Sequence, residues 1–419
     1  MSKMQYSYMT FERDDAFHRK PFVESIMKLI GEWGEDIFSD DEALSISIDS
    51  PWGTGKSAML AMWVNYIAET SKYSRYKVVY YNAWQNNYFN DAFRPLLYEL
   101  QNNDDGPQVE AFRKAGVEMA AALAEGDSDI LRIMASRAAG EGAGYFGGFR
   151  KINQTSEAFA KALGKLVPAN GKLIVFVDEL DRCRPDFAIA TLELIRHYMS
   201  VPNVVFVFTM DLSQLTQLVR LIYGFDTDAW GYLRRFFSIS FRMPMPELTK
   251  YVENMLYKAV NNSDALKEVK FAHTMGEMYK YFGLHIRDVE KITTNFIIFY
   301  SMNKIVNSPE KPRSLARLGT YLYFMILKYK YPEVYKGIFD KGGYHLEGDL
   351  VEGKYVLERR FSGQGEVKDL LRAMQGSRLW DEDAGPGYIA SYLFPEIAPD
   401  AKSLGRHIFE AIELFAEVG

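Results

Sequence analysis

A single cysteine, Cys183, stands in the 419 residues, so no intrachain disulfide can form and a reducing compartment fits. Long apolar runs are missing too. The densest clusters, 321–327 and 296–300, are flanked by charge and fall well short of the roughly 20 residues of a membrane-spanning helix. The opening MSKMQYSYMTFERDD has no apolar stretch of the kind a secretory leader carries. A soluble, cytoplasmic chain with no membrane association is therefore expected. Histidine is sparse and scattered (His18, His197, His273, His285, His345, His407) without metal-ligand spacing, which argues against zinc chemistry. Basic residues do not dominate: 49 Lys and Arg face 55 Asp and Glu, so no global positive field draws nucleic acid or an anionic membrane. A local basic patch is left open.

What is present supports a large core. Hydrophobic residues make up 48% of the chain, and its length suits two or three structural units. The stretch SISIDSPWGTGKSAMLAMW, Ser45 to Trp63, reads as a strand, a tight small-residue turn and a helix. The turn satisfies the phosphate-binding pattern GxxxxGK[ST] at Gly55, Lys56 and Ser57, with Ser50 where the pattern has its first glycine. Glycines let consecutive backbone N–H groups converge on an anion, and the following helix adds the positive end of its dipole. In that reading Ser50, Pro51, Trp52, Gly53, Thr54, Gly55, Lys56, Ser57 and Ala58 bind nucleotide. Lys56 reaches the β- and γ-phosphates, and Ser57 offers its hydroxyl to Mg²⁺. An ordinary glycine turn is the alternative.

A second segment bears on that choice. GKLIVFVDELDRCRPD, Gly171 to Asp186, carries an unbroken apolar run, as in a strand covered on both faces of a parallel sheet, and ends at Asp178-Glu179. Ligands of open α/β sheets gather at that strand edge. Asp178 is placed to hold Mg²⁺ with Ser57, and Glu179 to take a proton from the attacking water.

Further along, Phe11 to Gly31 reads as a lead-in and helix of the kind that can cover a nucleotide base, Lys77 to Gln85 as a strand, and Asp91 to Gln101 as a helix. Residues 102–170 form a helical, glycine-rich insertion, either mobile or a packed hairpin joined by the glycine-dense 140–149. Phe187 to Ser200 is helical. NVVFVFTMD supplies another buried strand, predicted to lie between the other two, with Thr209 or Asp211 beside the terminal phosphate or Asp211 simply capping a helix. The predicted organisation is a nucleotide-binding domain over 1–247, a helical lid-like subdomain over 248–310 and a mostly helical module over 311–419.

PWGTGKS, the NAW at Asn82 to Trp84, the tail VDELDRC, the strand VFVFTMD, the segment YLRRFF…FRMPMP and the helical LHIRDVEK together resemble the KAP family of P-loop NTPases, from about Phe11 to Tyr300. The resemblance implies a three-layer α/β/α domain with a mainly parallel sheet, followed by a largely helical C-terminal part. It further implies nucleotide hydrolysis coupled to conformational change or assembly, and a role in phage exclusion or defence. Ser50 departs from the pattern, as does an insertion that has no membrane span.

Arginines near the predicted site could stabilise charge on the transferred phosphoryl group. The candidates are Arg182, Arg184, Arg234, Arg235 and Arg287, each also readable as a solvated or ion-paired residue, Arg182 with Asp186 for example. Arg287 resembles a sensor arginine of the helical part, and Arg234 or Arg235 could act from a neighbouring subunit. Trp84 is read as a core aromatic packing against the phosphate-loop helix, with a base-stacking platform as the alternative. The expected ligands are ATP, in the absence of a base-reading NKxD motif for GTP, and Mg²⁺. A protein partner and a nucleotide-dependent homo-oligomer complete the expectation. Two other functions compete: a nucleotide-gated scaffold with little turnover, and a nucleic-acid-stimulated ATPase using LRRFFSISFR as a basic, aromatic strip.

Overall fold

Apolar residues run unbroken from Leu173 to Val177 and from Val204 to Phe208, inside the strands Lys172–Asp178 and Val204–Met210, in which every residue is buried. The structure, a computed structural model, describes residues 4–332 except 5, 33–41, 90, 102–105, 138–146, 246, 260–268, 304–320, 327 and 331. The chain divides into two compact units, Met1–Met245 and Pro246–Gly419.

In the first unit the order is α1 (Lys20–Glu32), β1 (Leu44–Asp49), α2 (Lys56–Glu69), β2 (Tyr76–Asn82), α3 (Phe93–Gln101), α4 (Pro107–Arg137) and α5 (Gly147–Gly164). Then come β3 (Lys172–Asp178), α6 (Pro185–Tyr198), β4 (Val204–Met210), α7 (Leu212–Tyr223) and β5 (Ile239–Arg242). All strand pairings are parallel and the sheet order is β2-β3-β4-β1-β5. Helices cover both faces, the three-layer α/β/α arrangement of a P-loop fold. Alternation along the strands sorts the core. Leu173, Val175 and Val177 pack with α3 to α7, while Ile174 and Phe176 join the core of α1 and α2. On that second face Trp63 is fully buried, its ring centroid 5.0 Å from that of Phe176.

As predicted, β4 lies between β1 and β3, and its register sets Thr209 opposite Asp178 on one side and Ile48 on the other. The second strand ends earlier than the sequence suggested, at Asn82. The Asn82 side chain accepts a hydrogen bond from the Gln85 amide and caps a one-turn helix, Ala83–Asn86, which breaks the extended backbone. In the insertion, the described helices pack on the sheet: Phe159 of α5 sits against Phe93 and Phe112, with centroids 5.3 and 5.2 Å apart. The glycine-dense connector lies mostly outside the described residues.

The second unit is helical where described, with α8 (Leu248–Ala259), α9 (Val269–Tyr281) and α10 (Ile286–Asn303). Its core includes Val252, Leu256, Met275, Val289 and Phe296, and a buried hydrogen bond of 2.9 Å joins the Tyr279 and Thr293 hydroxyls. The module expected over 311–419 lies almost wholly outside the described residues. Among the described residues, no helix is long and apolar enough to cross a membrane.

At the start of β3 the backbone passes very close to Arg75, the residue just before the neighbouring strand β2. A Cβ on Gly171 would fall 1.9 Å from the Arg75 carbonyl oxygen, so main chain would have to move. Gly171→Ala is expected to lower stability by about 1–3 kcal/mol, the usual cost of overpacking. An unchanged urea midpoint would contradict this packing.

Candidate active site

The phosphate-type loop joins β1 to α2, and its curl depends on two glycines with left-handed backbone, Gly53 at φ 77° and Gly55 at φ 84°. The departure at Ser50 has a structural use. Its hydroxyl meets the Thr54 hydroxyl at 2.7 Å, and Thr54 in turn donates to the Pro51 carbonyl at 2.8 Å, closing the loop across its base. A residue outside the motif braces the far side. Arg19, 1% exposed, donates from Nη2 to the Thr54 carbonyl at 2.6 Å and from Nη1 to the Gly55 carbonyl at 3.1 Å. Because a peptide's C=O and N–H point in opposite directions, holding these carbonyls turns the Gly55 and Lys56 amides to the loop's other side. Burial lowers the Arg19 pKa to about 10, which leaves it charged at neutral pH. Asp15 sets the approach by accepting from the Arg19 and Lys20 amides. No motif points to Arg19; the sequence reading gave this segment a different task, covering a base.

Lys56 begins α2 and curls over its own loop, donating to the Ser50 and Pro51 carbonyls at 2.7 and 3.0 Å. Burial pulls its ammonium below the ordinary lysine range, while Asp181, Asp178 and Asp211 oppose that shift. The next residue, Ser57, donates to Asp178 Oδ2 at 2.8 Å. Asp178, at the carboxyl end of β3, has no solvent exposure and accepts three more hydrogen bonds: from Tyr80 at 3.1 Å, from Thr209 at 2.8 Å and from the Glu179 amide at 3.0 Å. Even so, burial pushes its carboxyl above the usual range. Tyr80 and Thr209 are donors that the sequence pattern did not assign to it. The Ser57 hydroxyl and Asp178 carboxylate are hard oxygens held side by side, a donor set suited to Mg²⁺, which takes one or two protein oxygens and completes its shell with phosphate and water. The described residues contain no cluster of three or more His, Cys, Asp or Glu side chains that would hold a metal alone.

Glu179 turns the chain out of the sheet in a left-handed conformation, φ 59° and ψ 29°, which for a non-glycine residue costs on the order of 1–3 kcal/mol. Its Oε2 accepts from Asn82 Nδ2 at 2.9 Å, and its Oε1 from Arg182 Nη1 at 2.5 Å. Arg182 therefore pairs with Glu179 and not with Asp186, because the short 3-10 turn Leu180–Arg182 folds it back; the nearby Asp186 sits 3.6 Å from Arg184 instead. The Arg182 guanidinium lies over the indoles of Trp52 and Trp84, 5.9 and 6.0 Å from the ring centroids. Trp84 is 52% exposed and is not a core residue; the one-turn helix after Asn82 presents it outward. Trp52 is fixed by its Nε1 donating to Asp181 Oδ2 at 2.6 Å, an oxygen that also accepts the Asp211 amide at 2.7 Å.

Asp211 caps α7, accepting from the Ser213 and Gln214 amides, and Thr209 is committed to Asp178. Thus the structure gathers the loop Ser50 to Ala58, Asp178, Glu179 and Arg182 at one sheet edge. It does not bring Arg235 there. Arg234 and Arg235 are exposed just after the one-turn helix Ala229–Leu233, and no hydrogen bond or ion pair among the described residues joins Arg235 to the loop or to β3. Arg287 belongs to the second unit, as the second residue of α10.

Comparison with known proteins matches residues 19–323 to the KAP family P-loop domain. The phage T7 exclusion protein of Escherichia coli strain K12 is 27% identical over 114 residues, a stretch covering 26% of this chain and 15% of that protein's length. The Aeropyrum pernix ORC2 protein, solved in ADPNP–ADP complexes, is similar at 10% identity over 94% of this chain and 93% of its own, with a TM-score of 0.40. For the Aeropyrum pernix ORC1 protein in complex with DNA the identity is 12%, the coverage 90% and 87%, and the TM-score 0.30.

The raised pKa of Asp178 has a consequence for stability. A carboxyl whose folded pKa lies above its unfolded value favours folding below the unfolded pKa, near 4, and loses that contribution as pH rises through the folded value. At neutral pH its charge is thus a cost. Asp178→Asn keeps the shape, and the facing Ser57 and Tyr80 hydroxyls can rotate to accept. The melting midpoint at about pH 7 should equal or exceed that of the wild type, with the difference shrinking toward about pH 4. A clear loss of stability in thermal melts at neutral pH would contradict this.

Proposed function

The chain belongs to the KAP family of P-loop NTPases, and from that premise we propose that it is a Mg²⁺-dependent ATPase whose turnover drives a conformational change or assembly. The single observation that carries the reading is the 2.8 Å bond from Ser57 to Asp178, which unites the phosphate loop with the acidic strand. The loop amides and the amino end of α2 bind the phosphates, and Lys56 exchanges its loop carbonyls for β- and γ-phosphate oxygens. Ser57 and Asp178 would hold Mg²⁺, which when bound neutralises charge on the phosphate oxygens. Glu179, one residue beyond the metal-side carboxylate and oriented by Asn82, positions the attacking water and accepts its proton.

Arg287 of the second unit and Arg235 of a neighbouring copy are proposed to add positive charge at the transferred group, the latter through a nucleotide-dependent homo-oligomer. ATP is favoured over GTP. The similarity to the phage T7 exclusion protein supports a role in phage exclusion, exercised through a protein partner. The nucleotide-gated scaffold has one observation in its favour: both Glu179 oxygens are already engaged, by Asn82 and Arg182.

Phosphate release under steady-state conditions separates the two readings. Glu179→Gln is expected to cut turnover by about 10²–10⁴-fold, the scale of a lost general base, while nucleotide binding persists. Wild-type turnover no faster than that of the variant, with ATP bound, would replace the ATPase by the scaffold.

A further inference from the structure

Arg182 is held in an unusual way. Its ion pair with Glu179 is largely shielded, the side chains being 26% and 11% exposed, and its guanidinium rests over two indoles that the core does not use. One of these, Trp52, belongs to the phosphate loop itself, and its Nε1 is tied to Asp181. Trp52 and Trp84 are 41% and 52% exposed, so the platform opens toward solvent at the site. The Arg182 charge also reaches the loop lysine, where it is one of the influences lowering the Lys56 pKa. A terminal phosphate drawn to Lys56 therefore enters the field of Arg182.

Two anions would then compete for one guanidinium. A terminal phosphate carries more negative charge than a carboxylate and presents several acceptor oxygens, so it is the stronger partner for a planar cation. Attraction between a cation and an aromatic face is tolerant of sliding, unlike a directed hydrogen bond. Arg182 can thus change its anion without leaving Trp52 and Trp84. Building on the ATPase reading of the same site, we propose that Arg182 is a phosphate-responsive residue acting within its own subunit. A terminal phosphate draws it from Glu179, and this frees Glu179 Oε1 for the attacking water while Asn82 keeps Oε2 in place. A nucleoside diphosphate lacks the competing group and leaves the pair closed. The carboxylate that activates water is then unlocked by the substrate that needs it.

The test compares Mg²⁺-ADP with a Mg²⁺-bound non-hydrolysable ATP analogue, using affinities from calorimetry and tryptophan emission. Arg182→Gln should weaken the analogue about tenfold, the scale of one charge-assisted hydrogen bond, and change ADP by less than about twofold. Glu179→Gln removes the competitor and should tighten the analogue, and this gain should vanish in the Arg182→Gln background. Wild-type tryptophan emission should shift with the analogue and not with ADP, and the difference should disappear in Arg182→Gln. Equal losses for both nucleotides, or a Glu179→Gln gain that survives in the double variant, would overturn the proposal. Should Arg182→Gln fail to fold, Arg182→Met, uncharged and of similar length, carries the same cycle. A wild type that binds neither nucleotide brings down the site reading and this inference together. One that binds both, with Arg182→Gln indistinguishable from it, brings down this inference alone.

Discussion

A carboxylate sealed from water is tolerable only if the protein replaces the solvent, and Asp178 is sealed completely. Its replacements come from Ser57 at the start of α2, Tyr80 on β2, Thr209 on β4 and the amide of Glu179 just beyond its own strand. Each donor is in place because the sheet is parallel and because β4 is interposed between β1 and β3. The order of strands and the chemistry of the site are therefore one constraint. Moving β2 or β4 by one residue would turn a donor to the opposite face and strip the carboxylate of one of its replacements for water.

Two cations, Arg19 buried and Lys56 half-buried, shape the loop from opposite sides. Lys56 holds the carbonyls of Ser50 and Pro51, and Arg19 those of Thr54 and Gly55. With the carbonyls taken, the peptide planes present their amides elsewhere, which is the polarity an anion requires. Left-handed glycines permit this curl, and the paired hydroxyls of Ser50 and Thr54 stiffen it. Glu179 carries the complementary strain at the end of the acidic strand: its left-handed backbone is what aims its side chain at Asn82 and Arg182.

Much of this was legible in the residues. Unbroken apolar runs marked β3 and β4, since strands buried on both faces need no polar alternation, and the glycine-lysine-serine turn and the downstream Asp-Glu do meet at one sheet edge, as the candidate site requires. Legibility failed where a short-range interaction competes with a periodic one. Lys77 to Gln85 looks like one strand because nothing in composition shows that Asn82 will fold back to cap the next turn. Trp84 looked like core because an aromatic's identity does not tell which side of a one-turn helix it occupies. For Arg182 an ion pair with Asp186 was one alternative, whereas the chain at that point is a 3-10 turn and the acid it meets is Glu179. Arg19 was out of reach altogether, because its partners are loop carbonyls, which no residue code advertises.

That last contact redraws the boundary of the site. The stretch that names a P-loop begins at Ser50, yet the guanidinium that sets its peptide orientation arrives from the residue just ahead of α1, upstream of β1. A polypeptide trimmed to begin at Leu44 would preserve the whole signature and lose the clamp that gives it shape. The motif is a smaller object than the structure it identifies, and the leading residues are working parts of the phosphate-loop edge, not an approach to it.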